Sequence, residues 1–121
     1  MYRILLLLVS AMSISACDID ESMRSKSKDQ ASATARSVAA KYGCMGCHAV
    51  NNTVVGPAWQ LVANQYKNDE QARSMLINKI KTGGNGNWNK LTGDEKMPGF
   101  KDSMSEQEIA LVVDYILALK K

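Results

Sequence analysis

The amino-acid sequence predicts an all-α domain of four to five short helices. From Ser105 to Leu117, apolar residues recur at spacings of three and four, as they do in an amphipathic helix. Shorter stretches before it show the same spacing, and no stretch shows the alternation of apolar and polar residues that is typical of a β-strand. With 121 residues, the chain is long enough for one small domain.

The composition and charge limit the possible functions. Hydrophobic residues make up 45% of the chain and charged residues 22%, which is ordinary for a soluble protein and argues against several membrane spans. The formal net charge is +3, and one positive residue, Arg3, lies in a segment that we expect to be removed. No Gly-rich phosphate-binding motif follows a strand pattern, and no acid/base pair stands out. A nucleic-acid-binding role therefore has no support.

The first segment, residues 1–16, has the features of a lipoprotein-type signal peptide. Arg3 supplies the positive start, an apolar core runs from Ile4 to Ile14, and small residues precede the expected cleavage point after Ala16. The apolar run is too short to span a bilayer as a helix. We therefore expect an exported protein.

Cys17 completes the segment Ile14-Ser15-Ala16-Cys17, which resembles the bacterial lipobox, where cleavage precedes a cysteine that becomes lipid-modified. The alternative is an ordinary secretory peptide with an incidental cysteine. Lipidation explains the third cysteine, which would otherwise be a free thiol in an oxidising compartment, and several acyl chains would anchor a small protein firmly. Asp18 resembles a signal for retention in the inner membrane, so we expect anchoring at the periplasmic side of that membrane.

Residues 17–30 are predicted to form a lipid-anchored flexible tether, because they are polar, mixed in charge and without an apolar stripe. The alternative is a longer first helix, since none of these residues breaks one. The folded domain is expected over residues 31–121 and begins with a weakly amphipathic helix from Ala31 to Tyr42.

That helix leads into Cys44-Met45-Gly46-Cys47-His48, the Cys-x-x-Cys-His signature of covalent c-type haem attachment. Two cysteines three residues apart on a helical turn point to the same side, so both sulfurs can form thioether bonds to the vinyl groups of one porphyrin. His48 follows directly, where its imidazole can bind the iron. We therefore expect one haem c, attached through Cys44 and Cys47, with His48 as an iron ligand.

Three other interpretations of this motif are less favoured. A redox-active Cys-x-x-Cys is expected beside a βαβ pattern, which the sequence lacks. A zinc site needs four ligands, and after Cys44, Cys47 and His48 only carboxylates remain in the mature chain. A plain disulfide leaves the adjacent histidine unexplained.

Two helices are expected after the motif. Trp59, Val62 and their apolar neighbours Leu61 and Tyr66 fit a short helix, with Trp59 in the core. Asn68 is then expected to cap a helix from Asp69 to Lys81, in which Met75 is a core methionine. Glycines end this helix, and the loop from Gly86 to Phe100 is expected to contain no regular element.

Methionine and lysine side chains are the remaining candidates for a second iron ligand. His48 is the only histidine, so a bis-histidine site within one molecule is excluded. Met97 lies beside Pro98 after a glycine-rich loop, in a stretch without a helical face to bury it, and we expect it to bind the iron. Met104, Lys96 and an open position are the alternatives.

Met104 has a structural role of its own. Ser105 and Glu108 form a capping box that begins the last helix, and Met104 can pack on Ile109 as a hydrophobic staple.

Four motifs in this order resemble the small class I monohaem cytochromes c of respiring and denitrifying bacteria, over about residues 35–121. These motifs are CMGCHAV, VVGPAW, Gly86-Asn87-Trp88 and Met97-Pro98-Gly99. The resemblance implies the class I cytochrome c fold, with Met97 as an iron ligand. It also implies that the Pro57 carbonyl accepts a hydrogen bond from the iron-binding histidine and that Trp88 donates its indole hydrogen to a haem propionate. Lys96 and Gly99 stand where the family has prolines, which predicts a less rigid loop around Met97.

The resemblance implies an electron-transfer protein and not an enzyme. We expect a monomeric one-electron carrier between respiratory complexes in the periplasm, with redox partner proteins docking transiently at the exposed haem edge. The alternatives are a haem-based protein that binds or senses a small ligand, and a fixed cytochrome subunit of a larger oxidoreductase.

Overall fold

The computed structural model of the chain describes residues 21–121, so the predicted signal peptide and Cys17 lie outside the described residues. This part of the chain contains no strand, only two isolated bridges, and it confirms the predicted all-α fold. Its elements are α1 (Glu21–Lys41), a 3₁₀ turn (Cys44–Gly46), α2 (Trp59–Gln65), α3 (Ala72–Thr82), α4 (Asn89–Thr92) and α5 (Glu106–Ala118).

The core is organised around the C-terminal helix, as its strong apolar stripe predicts. α5 packs on α1, α2 and α3, and its residues Ile109, Val112 and Val113 are fully buried. α1 approaches α5 through Ala35 and Ala39, which are both 0% exposed. Small side chains at these two positions let the two helices come close, while the apolar side of α5 supplies the buried area.

The predicted capping box at the start of α5 is present and is joined to the end of α1. The Ser105 hydroxyl accepts a hydrogen bond from the Glu108 backbone N–H, and the Glu108 carboxylate accepts from the Ser105 backbone N–H at 2.9 Å. The same carboxylate accepts hydrogen bonds from the Tyr42 hydroxyl and the Lys41 ammonium, each at 3.0 Å. The Ser105 N–H and the Lys41 ammonium hold the pKa of Glu108 down, at about 2.

α1 is already helical at Glu21, the first described residue and ten residues before the expected start, so residues 21–30 are helical where the sequence predicts a flexible chain. Every residue of this segment is exposed. It contains no glycine or proline, and it prolongs a helix that packing at Ala35 and Ala39 already holds, so it needs no new nucleus. The structure therefore has the longer first helix, which is the alternative prediction for this segment.

Four other expectations are corrected. α3 begins at Ala72 and not at Asp69, because the Asp69 carboxylate accepts a hydrogen bond from the Gln71 N–H at 2.8 Å and forms a turn. Met75 is 38% exposed and is not a core methionine, and Leu61 of α2 is 42% exposed. The expected loop after Gly86 contains the single helical turn α4.

Candidate functional site

The Cys-x-x-Cys-His motif forms a tight turn directly after α1. Gly43 has a φ of +75°, a left-handed conformation that favours glycine, and it turns the chain out of the helix. The His48 N–H donates to the Cys44 carbonyl at 2.9 Å and closes the turn. Both cysteines carry free thiols, Cys47 exposed and Cys44 half-buried. Burial raises the pKa of the Cys44 thiol.

The loop after the motif folds back onto it. The Cys47 carbonyl accepts hydrogen bonds from the Gly56 N–H at 2.7 Å and the Val55 N–H at 3.2 Å. These bonds bring Pro57 beside the imidazole, and Nδ1 of His48 lies 2.8 Å from the Pro57 carbonyl oxygen. Because a carbonyl can only accept, Nδ1 carries the proton and donates, which leaves the lone pair of Nε2 available to a metal ion.

The His48 ring is confined by two more neighbours. An ideal Cβ placed on Gly56 would lie 2.8 Å from both Nδ1 and Nε2 of His48, so only glycine fits at this approach. The Trp59 ring stacks on the imidazole with centroids 6.0 Å apart and planes 27° apart. Trp59 is 3% exposed, and its own ring meets the Tyr115 ring edge-on at 5.9 Å.

Met97 is held by backbone contacts with the end of α3. Its N–H and carbonyl both bond to the backbone of Gly84, with the Gly84 N–H donating to Met97 at 2.8 Å. Just beyond, the Phe100 N–H donates to the Ile80 carbonyl at 2.9 Å. Met97 is therefore placed by α3, which precedes it by some fifteen positions, and not by the residues beside it in the sequence.

The helices and loops enclose a cavity of about 270 Å³. Its walls include all six residues that the sequence analysis assigned to haem attachment, ligation and contact within residues 21–121: Cys44, Cys47, His48, Pro57, Trp88 and Met97. Much of the remaining wall consists of apolar side chains, among them Val55, Val62, Leu76, Ile80, Phe100, Val112 and Ile116. The structure thus brings together residues that span more than fifty positions of the sequence.

The alternative ligands also lie at this cavity. Met104 lines it and is 5% exposed, within the same buried cluster as Ile109, as the staple predicts. Lys96 also lines it but is exposed, and so does the half-exposed Met75. Met97 is half-buried and packs against the buried cluster, whereas Met104 belongs to the cluster itself.

Polar residues at the cavity wall were not found by sequence reasoning. The Lys79 ammonium donates to the carbonyls of Gly83 at 3.3 Å and Asn85 at 2.8 Å, and so holds the loop that leads to Trp88. The Asn87 amide donates to the Tyr66 hydroxyl at 3.4 Å across the same wall. The position of Lys79 in the last turn before a helix-ending glycine was the available signal for its role.

These residues fit a haem. The wall is largely apolar, and the glycine at position 56 lets the loop lie against the imidazole. With the thiols of Cys44 and Cys47 assigned to covalent attachment, one imidazole nitrogen and thioether sulfurs remain at the wall as donors that suit haem iron. Within residues 21–121, no three or more His, Cys, Asp and Glu side chains come together as metal ligands, which leaves the zinc alternative without a ligand set there. A helical domain with a Cys-x-x-Cys-His turn, a hydrogen-bonded histidine and a methionine at one apolar cavity defines a c-type haem protein of the class I kind.

The chain belongs to the cytochrome c family, since the family's sequence profile matches residues 32–120. Cytochrome c-551 of Allochromatium vinosum is 38% identical over 82 residues, which are 68% of this chain and 82% of that protein. Cytochrome c-552 of Nitrosomonas europaea is 36% identical over 83 residues, 69% of this chain and 76% of that protein. The crystal structure of wild-type cytochrome c552 from Nitrosomonas europaea superposes with a TM-score of 0.63 and 35% identity, over 70% of this chain and 99% of that one.

Membership of this family indicates the cofactor and the general role of the chain. The chain is a small class I monohaem cytochrome c with one covalently bound haem c. It is an electron carrier that passes electrons to redox partners, and it is not an enzyme.

Proposed function

We propose that the chain is a membrane-tethered carrier that shuttles single electrons between respiratory complexes in the periplasm. Cys44 and Cys47 hold the haem through thioethers, and His48 and Met97 bind its iron. One observation carries the haem-binding part of this proposal: Nδ1 of His48 donates to the Pro57 carbonyl at 2.8 Å, which directs Nε2 to a metal at a cavity that both cysteines and Met97 also line.

The residues at the cavity suit the transfer of a single electron, a reaction in which no bond of a substrate breaks. The haem supplies the redox couple. The Pro57 carbonyl fixes the tautomer of His48 and strengthens its imidazole as a donor. The thioether of Met97 favours the reduced state more than a second imidazole would, so a moderately high potential is expected. Two protein ligands leave no open position for a substrate.

Trp88 takes the role that the resemblance implies, donating its indole N–H to a haem propionate. It is half-buried at the cavity wall and lies at the start of α4, where its carbonyl accepts hydrogen bonds from the Leu91 N–H at 2.8 Å and the Thr92 N–H at 3.0 Å. These bonds fix the backbone of Trp88 and thereby restrict its indole.

The family and the N-terminal sequence support the proposed location. Cytochromes c of this type are periplasmic. No helix within residues 21–121 is long and apolar enough to cross a membrane. In this proposal residues 1–16 are removed, lipid on Cys17 anchors the protein to the periplasmic side of the inner membrane, and residues 17–30 connect the anchor to a monomeric domain. Redox partner proteins dock briefly at the haem edge.

Absorption spectroscopy and mass spectrometry test the haem assignment. The mature protein from a host that makes c-type cytochromes should weigh one haem more than its polypeptide and lipid. The ferric protein should show a sulfur-to-iron charge-transfer band, and Met97→Ala should abolish it while Met104→Ala should not. Carbon monoxide binding to the native ferrous protein would instead favour the ligand-binding alternative and refute a stable Met97 bond.

Fractionation tests the anchor. Wild-type protein should remain with the membranes in high salt and be released by detergent, whereas Cys17→Ser should appear in the soluble periplasmic fraction with its haem spectrum unchanged. An equally membrane-bound Cys17→Ser variant refutes lipid anchoring at this residue. Stoichiometric recovery of one larger complex in mild detergent would refute free shuttling and identify a fixed subunit.

A further inference from the structure

The segment that carries Met97 lies against the end of α3, backbone to backbone. Beyond the paired bonds between Gly84 and Met97, the Phe100 N–H donates to the Ile80 carbonyl at 2.9 Å and the Lys101 N–H to the Lys81 carbonyl at 3.2 Å. Residues 97–101 are thus tied to residues 80–84 at both ends. Met97 is the first residue of the segment 97–101. The contact that sets the distance between the two backbones therefore also sets the position of the Met97 side chain.

Two glycines occupy the contact. Gly83 ends α3 with a φ of +66°, and an ideal Cβ on it would lie 2.6 Å from the Gly99 nitrogen and closer still to the Met97 carbonyl oxygen. On the other side, a Cβ on Gly99 would lie 2.8 Å from the Lys81 carbonyl oxygen and 2.9 Å from that of Thr82. Both clashes are with backbone atoms, which cannot rotate away as a side-chain end can.

We propose that Gly83 and Gly99 are positioning residues for the Met97 sulfur, holding it by close contact between two backbones. This inference rests on the proposed role of Met97 as an iron ligand. The family has proline where this chain has Gly99, and the sequence alone therefore predicts a looser loop. Here the loop is instead held from outside, by hydrogen bonds to α3 and by the absence of a Cβ on either side.

Gly93 provides a matched control for the backbone strain. It ends α4 with φ +69° and ψ −155°, nearly the conformation of Gly83 with φ +66° and ψ −147°. A Cβ on Gly93 would meet nothing within 4 Å. Alanine at Gly93 therefore reports the cost of the unusual φ alone, and alanine at Gly83 reports that cost plus the clash. Gly99 does not have a positive φ, so alanine there reports the clash alone.

The test is competition for the sixth coordination position in the ferric holoprotein. Imidazole is added to wild type, Gly83→Ala, Gly99→Ala and Gly93→Ala, and loss of the sulfur-to-iron band is followed. A clash that pushes Met97 from its place makes the external ligand more competitive, so we expect the half-saturating imidazole concentration to fall about tenfold or more in the first two variants. Gly93→Ala should stay within about twofold of wild type.

The results distinguish the positioning role of the two glycines from the role of Met97 as an iron ligand, on which it rests. Gly99→Ala and Gly93→Ala with equal half-saturating concentrations would overturn the positioning role of the two glycines. A band that persists in Met97→Ala would overturn the assignment of the ligand itself. If Gly83→Ala does not fold, Gly99→Ala decides the question, with thermal unfolding of each variant as the measure of general damage.

Discussion

Gly56→Ala is the substitution whose effect can be worked most directly from the structure. Its Cβ would stand 2.8 Å from both ring nitrogens of His48, whereas non-bonded carbon contacts are comfortable only at about 3.5–4.0 Å. The imidazole or the loop must therefore retreat by roughly 1 Å. The hydrogen bond from Nδ1 of His48 to the Pro57 carbonyl, at 2.8 Å, would stretch beyond its useful range.

The expected loss of stability in Gly56→Ala has two contributions. Overpacking costs about 1–3 kcal/mol, and the lost hydrogen bond costs about 0.5–1.5 kcal/mol. The free energy of unfolding of the holoprotein should therefore fall by about 1.5–4.5 kcal/mol, which corresponds to a melting temperature lower by at least about 6 °C in a domain of this size.

Guanidinium unfolding of the ferric holoprotein, followed by far-UV circular dichroism, measures this effect. Gly46→Ala is the control, since Gly46 lies inside the haem motif and a Cβ there would meet nothing within 4 Å. Equal unfolding midpoints for the Gly56 and Gly46 variants would refute the reasoning that the loop must lie directly against the imidazole.

Three further substitutions probe the scaffold. Glu108→Gln should lower the melting temperature at pH 7. Because the pKa of the Glu108 carboxylate is held at about 2 against an ordinary 4.5, the difference in melting temperature from wild type should shrink as the pH falls from about 4.5 to about 2. Thermal melts across that pH range measure this difference. Ile109→Ala, at a fully buried site, should cost about 2–5 kcal/mol in guanidinium unfolding, and a smaller loss would mean that the core collapses around the gap. Trp59→Leu removes the ring stacked on His48 and should shift the g-values of the ferric electron paramagnetic resonance spectrum, whereas Tyr115→Phe keeps the edge contact and should leave them unchanged.

The features that local sequence specifies were predictable. The capping box at Ser105 and Glu108 and the apolar stripe after it define α5 without reference to the rest of the chain. Gly83 ends α3 where predicted, because the glycine adopts a positive φ of +66° that other residues rarely reach.

The features that depend on distant contacts were not predictable. The helical state of residues 21–30 depends on a helix that is held at Ala35 and Ala39 by α5. The setting of Met97 depends on the end of α3, and neighbouring residues suggested a looser loop. Lys79 holds the loop through a hydrogen bond to the Asn85 carbonyl, and no periodicity in the sequence predicts that these two residues lie close together.

The position of α5 after the helices that it packs on has a consequence for biogenesis. α1, α2 and α3 all bury their apolar sides against α5, which follows them in the sequence, so the core cannot close until α5 has been made. Cys44 and Cys47 emerge more than fifty residues earlier and remain in an open chain during that interval. The order of synthesis thus gives the machinery that links porphyrin to protein access to both thiols before folding covers one of them.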